Sequence, residues 1–276
     1  MNIKIRIEKA KSLLSHVLKK KTHKDAANHG NHLITDKSST RVLEAYRMAR
    51  TNLFYSGTEE GGTVFGVTSS SPSDGKSLTC ANLAISFAMS GKRVLLIDCD
   101  MRKPTQKLAF GATVENGLSE YLAGVTAEPE IIVTSYEGLS LLTSGRCPPN
   151  PAELLFRPRF AELIAKVKSE YDFVFVDMPP IGIISDAAVV APHIGAYVFV
   201  ARAGESDQRL LRAAVESIES VGGKIAGFIL NDVGETTAGG YGTYGRYYGR
   251  YYRKYYTRYE TDDKTSSGES VGEESK

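Results

Sequence analysis

From residue 63 onward the chain repeats one pattern: a short, almost wholly apolar run, a turn, and a longer amphipathic segment. The runs are Thr63–Thr68, Val94–Ile97, Leu139–Leu142, Phe173–Val176, Ala196–Val200 and Ile225–Leu230. Short apolar runs without polar alternation suit strands covered on both faces. They predict an α/β fold: a doubly wound, mostly parallel sheet with helices on both sides. A helix is expected from about Arg41 to Phe54, capped by Ser38, Ser39 or Thr40, and another from Lys76 to Ser90, closed at Gly91. Residues 19–37 are polar and read as linker, and globular order is expected to end near Val233, where a Gly- and Thr-rich stretch begins. The predicted organisation is a basic N-terminal segment and linker (1–39), one globular domain (40–234) and a disordered tail (235–276).

Beyond that boundary the pattern changes completely. Nine of the fifteen tyrosines fall between residues 241 and 259, at Tyr241, Tyr244, Tyr247, Tyr248, Tyr251, Tyr252, Tyr255, Tyr256 and Tyr259. Gly and basic residues separate them, and the stretch carries five positive charges and no negative one. It offers neither strand alternation nor an apolar helix stripe, so it should lie open to solvent. Three uses fit such a tract: a sticky low-complexity tail, a platform on which single-stranded nucleic acid stacks, or a set of phosphate acceptors.

A net charge of +2 is too small to indicate a nucleic-acid partner. Cys80, Cys99 and Cys147 are scattered, odd in number and without metal-ligand spacing, which points to a reducing, cytoplasmic setting. Lys4, Arg6, Glu8, Lys9 and Lys11 interrupt the early apolar residues, so no signal peptide is expected. The apolar window Ile183–Ala201 contains Asp186, Pro192 and His193 and is not expected to span a membrane. Ile3, Ile5, Ile7, Leu13, Leu14, Val17 and Leu18, interleaved with lysines, allow a weak membrane-surface helix or a solvated, partner-binding segment.

The first strand leads into SSSPSDGKSL, residues 69–78. Gly75-Lys76-Ser77 has the form of the end of a phosphate-binding loop opening a helix. There the backbone around Ser73, Asp74, Gly75, Lys76, Ser77 and Leu78 would face phosphate oxygens. Lys76 would supply a cation to the β- and γ-phosphates, and the Ser77 hydroxyl a ligand to Mg²⁺. Ser70 stands where such loops usually begin with glycine, and a chance triplet in a surface loop is the plain alternative. Two acid clusters weigh against chance. VLLIDCDMRKP ends a buried strand with Asp98 and Asp100, which at i and i+2 point the same way. FVFVDMPP ends another with Asp177. One such acid is most simply a helix cap; three at strand ends beside a triphosphate suit Mg²⁺ binding and orientation of an attacking hydroxyl.

The loop, LLIDCDMR, FVFVDMPP and the terminal tyrosines together resemble the bacterial tyrosine kinases of capsule and exopolysaccharide synthesis, as do EAYRMAR (44–50) and LLTSGRCPPNPAELL (141–155). The resemblance spans about residues 40–259. It implies a P-loop kinase domain that binds ATP and Mg²⁺ through Ser73–Leu78, with Ser77, Asp98 and Asp177 toward the metal. Lys76, Asp98 and Asp100 would be catalytic, Asp100 as base, and Asn231 would touch adenine. Glu44, Arg47 and Arg50, otherwise a surface ion-pair group, would contact the next subunit of a homo-oligomeric ring.

The tail tyrosines would then be phosphorylated in trans. The implied partners are a membrane-embedded activator that recruits the cytoplasmic kinase to the inner face of the membrane, a protein-tyrosine phosphatase and other protein substrates, with no nucleic acid. Two other functions compete with the kinase: a partition-type ATPase switch acting on DNA or membrane, and an adaptor whose tail binds single strands. The partition ATPases carry an extra lysine early in the loop, where this chain has Ser71.

Overall fold

The computed structural model describes residues 32–56 and 63–233. The basic N-terminal segment up to residue 31, and from residue 234 the tail with its tyrosine cluster, lie outside the described residues. The chain divides into units 1–231 and 232–276, and the sheet with its helices belongs to the first.

Seven strands form one sheet: β1 (Thr63–Ser69), β2 (Val94–Asp98), β3 (Ile132–Val133), β4 (Leu139–Leu142), β5 (Phe173–Asp177), β6 (Ala196–Arg202) and β7 (Ile225–Asn231). Their order is β3-β4-β2-β5-β1-β6-β7. All neighbours run parallel except β3, which pairs antiparallel with β4 at the edge. Each of the six apolar runs is a strand. The two-residue β3 has too little pattern to read from sequence, and its Val133 is 84% exposed.

Among the described residues eight α-helices accompany the strands: α1 (Thr40–Ser56), α2 (Lys76–Ala88), α3 (Gln106–Ala109), α4 (Leu118–Ala123), α5 (Pro151–Leu155), α6 (Pro158–Glu170), α7 (Asp186–Val189) and α8 (Gln208–Ser220). Successive strand residues point to opposite faces, and both faces are filled. Phe65, Val67, Phe173 and Phe175 pack with Leu83, Phe87 and Leu53 on the α1–α2 side. Val64, Val174 and Val176 pack with Phe160, Leu163, Leu211 and Val215 on the α6–α8 side. Burial on both faces explains why the strands read as continuous apolar runs.

Packing begins before the boundary expected at residue 40. Ile34 is 2% exposed, and its backbone N–H donates to Asn82 Oδ1 on α2 at 2.9 Å. Asn82 Nδ2 in turn donates to the carbonyl of His32 at 3.2 Å. One isoleucine in a polar stretch carries no periodic signal, so the docking was not legible in the pattern.

Candidate active site

The carboxyl ends of β1, β2 and β5 lie side by side, and the loop after β1 closes over them. In this loop Gly75 takes a left-handed φ of 87° and stands as the N-cap of α2. A Cβ there would come within 2.0 Å of Asn231 Nδ2. The N–H groups of the first turn of a helix have no acceptor within that helix, and the dipole adds partial positive charge there. An anion placed on this turn meets both.

Lys76 follows, with a side chain almost closed to solvent. Its ammonium lies 2.9 Å from Asp100 Oδ2 and 3.4 Å from Asp177 Oδ1, and donates to Ser77 Oγ at 2.8 Å. Burial pulls the ammonium's pKa down, but Asp177, Asp100 and Asp98 outweigh it and hold Lys76 above its ordinary value. The β2–β5 register sets Asp98 opposite Asp177, both fully buried. Burial, then repulsion from Asp177, pushes the Asp98 carboxyl up to about 8, against the pull of the Gln106 N–H and Lys76.

Asp98 and Asp100 have different surroundings. Both Asp98 oxygens accept backbone N–H groups: Oδ1 from Asp100 at 3.1 Å, and Oδ2 from Thr105 at 3.2 Å and Gln106 at 3.1 Å. Asp98 thus holds the turn between β2 and α3, while Asp100 faces the ammonium. Among the described residues no group of three or more His, Cys, Asp or Glu is arranged to hold a metal ion by itself. In a nucleotide site Mg²⁺ is held by one or two carboxylates and a hydroxyl together with phosphates and water. Lys76, Ser77 and Asp177 fit the phosphate end of Mg-ATP: one ammonium faces the two acids Asp100 and Asp177, and a divalent cation balances the excess charge.

Gln106 and Ser206, not singled out from the sequence, complete the enclosure, Ser206 through the expected loop residue Asp74. Gln106, 1% exposed, donates through Nε2 to Asp177 Oδ2 at 2.8 Å and to the Ser77 carbonyl at 3.0 Å. Asp74, behind the loop, accepts from Ser206 Oγ at 2.7 Å and from the Ser71 N–H at 3.2 Å, while Ser206 Oγ accepts from the Arg202 N–H at 2.7 Å. Burial pushes the Asp74 carboxyl up, against those donors. These partners are 71 and 132 residues away in sequence, and local spacing does not reveal them.

The other expected site residues are dispersed. Asn231 ends β7 and donates to the Asp74 carbonyl at 3.1 Å, so its amide supports the back of the phosphate loop. Ser73 has a positive φ of 66° and is exposed at the loop's outer bend, as Leu78 is on α2. Glu44 and Arg47 pair with each other on the surface of α1. Arg50 turns inward and donates to the Ser86 carbonyl of α2 at 2.5 Å. At i, i+3 and i+6 the third residue lies well round the helix from the first, so the three do not form one stripe.

Known proteins are similar to this chain in sequence and fold. A family model described as an AAA domain matches residues 73–200, from the phosphate loop to β6. The tyrosine-protein kinase CpsD of Streptococcus agalactiae is 36% identical over 214 residues, which cover 76% of this chain and 93% of CpsD. The chain belongs to the bacterial tyrosine-protein kinases. The tyrosine-protein kinase Wzc of Salmonella typhimurium is 39% identical over 211 residues, 75% of this chain but only 29% of Wzc. This kinase therefore spans less than a third of that relative's length. The solved kinase domain of the Escherichia coli tyrosine kinase ETK superposes with a TM-score of 0.68 at 34% identity, covering 75% of this chain and 84% of that domain. The doubly wound P-loop fold expected from the strand pattern is the fold of this family. No helix among the described residues is long and apolar enough to cross a membrane.

Proposed function

We propose that the chain is an autokinase that transfers the γ-phosphoryl group of ATP to tyrosines of its own 241–259 cluster, between subunits, and thereby regulates capsule or exopolysaccharide synthesis and export. The observation that carries this is the buried Lys76 ammonium held between Asp100 and Asp177 at the mouth of a phosphate loop, in a chain that also bears nine clustered tyrosines.

In this reading the α2 N-terminus and Lys76 bind and neutralise the phosphates, and Ser77 and Asp177 hold Mg²⁺, which when bound offsets charge on the transferring group. Asp98 fixes the turn that carries Asp100. The Asp100 carboxylate accepts the proton of the acceptor tyrosine as its oxygen bonds to the γ-phosphorus and ADP leaves with the bridging oxygen. CpsD, aligned over 93% of its length, supports a kinase of this extent. Assembly into a ring, recruitment to the inner face of the membrane by a membrane-embedded activator, and a phosphatase among the substrates belong to the same proposal.

The test is anti-phosphotyrosine blotting of the full chain incubated with Mg-ATP. Wild type should label strongly and Lys76→Met should lose at least about 100-fold, as expected when a main electrostatic contact to the transferring group is removed. Undiminished label on a folded Lys76→Met chain overturns the site. ATP hydrolysis by wild type without any phosphotyrosine makes the protein a switch ATPase instead.

A further inference from the structure

We infer that Gln106 is a positioning residue for the Mg²⁺ of the nucleotide, aligning Ser77 and Asp177 and presenting its own amide oxygen to the ion's water shell. This rests on the reading that Ser77 and Asp177 hold Mg²⁺. Gln106 bonds to three residues of the site. Its backbone N–H donates to Asp98 at 3.1 Å, and its Nε2 donates to Asp177 at 2.8 Å and to the Ser77 carbonyl at 3.0 Å.

The orientation of the amide is dictated by its neighbours. A carboxylate and a carbonyl only accept, so the NH₂ group must face both, and Oε1 must face away from them. Oε1 is buried without a hydrogen-bond partner. Buried acceptors are rarely left so, and a water or an ion at the site is the kind of partner that satisfies one. The two held groups identify the ligand. Asp177 has one oxygen turned toward Lys76 and the other toward Gln106, so the amide sets the plane of the carboxylate. By holding the Ser77 carbonyl it also fixes the start of α2 beneath the Ser77 hydroxyl. Mg²⁺ keeps several waters when bound to nucleotides, and each needs an acceptor for its hydrogens. Partners of this second kind are worth about 10- to 100-fold in metal affinity at other metal sites.

The measurement is ADP binding to the full chain by calorimetry, once in excess Mg²⁺ and once in EDTA; the ratio of the two affinities is the metal gain. Gln106→Met fills the same space without polar atoms. It should cut the metal gain about 10-fold, and because the gain is a ratio, any change in metal-free affinity is divided out. Gln106→Glu keeps an acceptor oxygen but adds a fourth carboxylate, so it should weaken metal-free binding and enlarge the metal gain. A packing role would not move the two variants in opposite directions.

Ser77→Ala separates the role of Gln106 from the metal site itself. A full metal gain in Gln106→Met, with loss in Ser77→Ala, overturns the role of Gln106 and leaves the metal site standing. A full gain in all variants overturns both. Should Gln106→Met not fold, as judged by circular dichroism, a Gln106→Glu chain with the wild-type gain overturns the proposal on its own.

Discussion

Three acids and one ammonium share a largely buried space, and the imbalance falls on Asp98. Its carboxyl is pushed up to about 8 by burial and by Asp177, while the unfolded value is about 3.9. Below about pH 4 both states hold the proton. Between about pH 4 and 8 the unfolded chain has released it and the folded chain has not, so stability falls as pH rises. Glu120 and Asp172 act oppositely, their carboxyls lying below the usual range, but their contribution is complete by about pH 5. Metal-free protein should therefore melt at lower temperature at pH 8 than at pH 5.5, and a saturating Mg-nucleotide should flatten that slope. A metal-free melting point that rises over this interval contradicts the assignment. At this scale Lys76, Asp100 and Asp177 were legible because loop spacing and strand ends are local signals. Gln106 was not: in KPTQK it is one polar residue in a turn, and its meaning comes from Asp177, which only the folded sheet brings beside it.

Six of the strands were legible almost to the residue, since burial on both faces leaves a short, uninterrupted apolar run bounded by turn residues. Elements whose role depends on a distant partner were less so. On α1 the family resemblance implied one subunit-contact group of Glu44, Arg47 and Arg50, yet Arg50 bonds to the Ser86 carbonyl and ties α1 to α2. The two halves of that group should therefore behave differently. Glu44→Ala with Arg47→Ala removes an exposed pair worth at most about 1 kcal/mol, so monomer melting should barely change while self-association weakens. Arg50→Ala strips a charged donor from a part-buried carbonyl and should cost about 1–3 kcal/mol of monomer stability. Thermal unfolding with light scattering checks both. Equal melting shifts for the two variants would remove Arg50 from the α1–α2 contact, and an unchanged oligomer in the double variant would make Glu44 and Arg47 plain surface.

At the scale of the whole molecule, a basic tail and an acidic crevice are joined in one chain. The 241–259 stretch carries five positive charges, and each phosphotyrosine adds about −1.5 to −2, so about three modifications cancel the charge. Beyond that point, under the proposed function, the tail would be repelled by triphosphate and carboxylates. Autophosphorylated protein should sediment as smaller species than unmodified protein, with the difference shrinking in high salt as the screening length falls from about 8–10 Å toward 3 Å. Equal size before and after modification would make the tail a tag and not an assembly switch. The central claim is that one subunit's Lys76 site acts on another subunit's tyrosines, and one mixing experiment addresses it directly. A Lys76→Met chain with its tail intact is combined with an active chain whose nine tail tyrosines are Phe, the two differing in size, in Mg-ATP. The expected result is phosphotyrosine on the Lys76→Met chain, and only in the mixture. A mixture in which that chain stays unlabelled, while wild type alone labels fully, contradicts transfer between subunits.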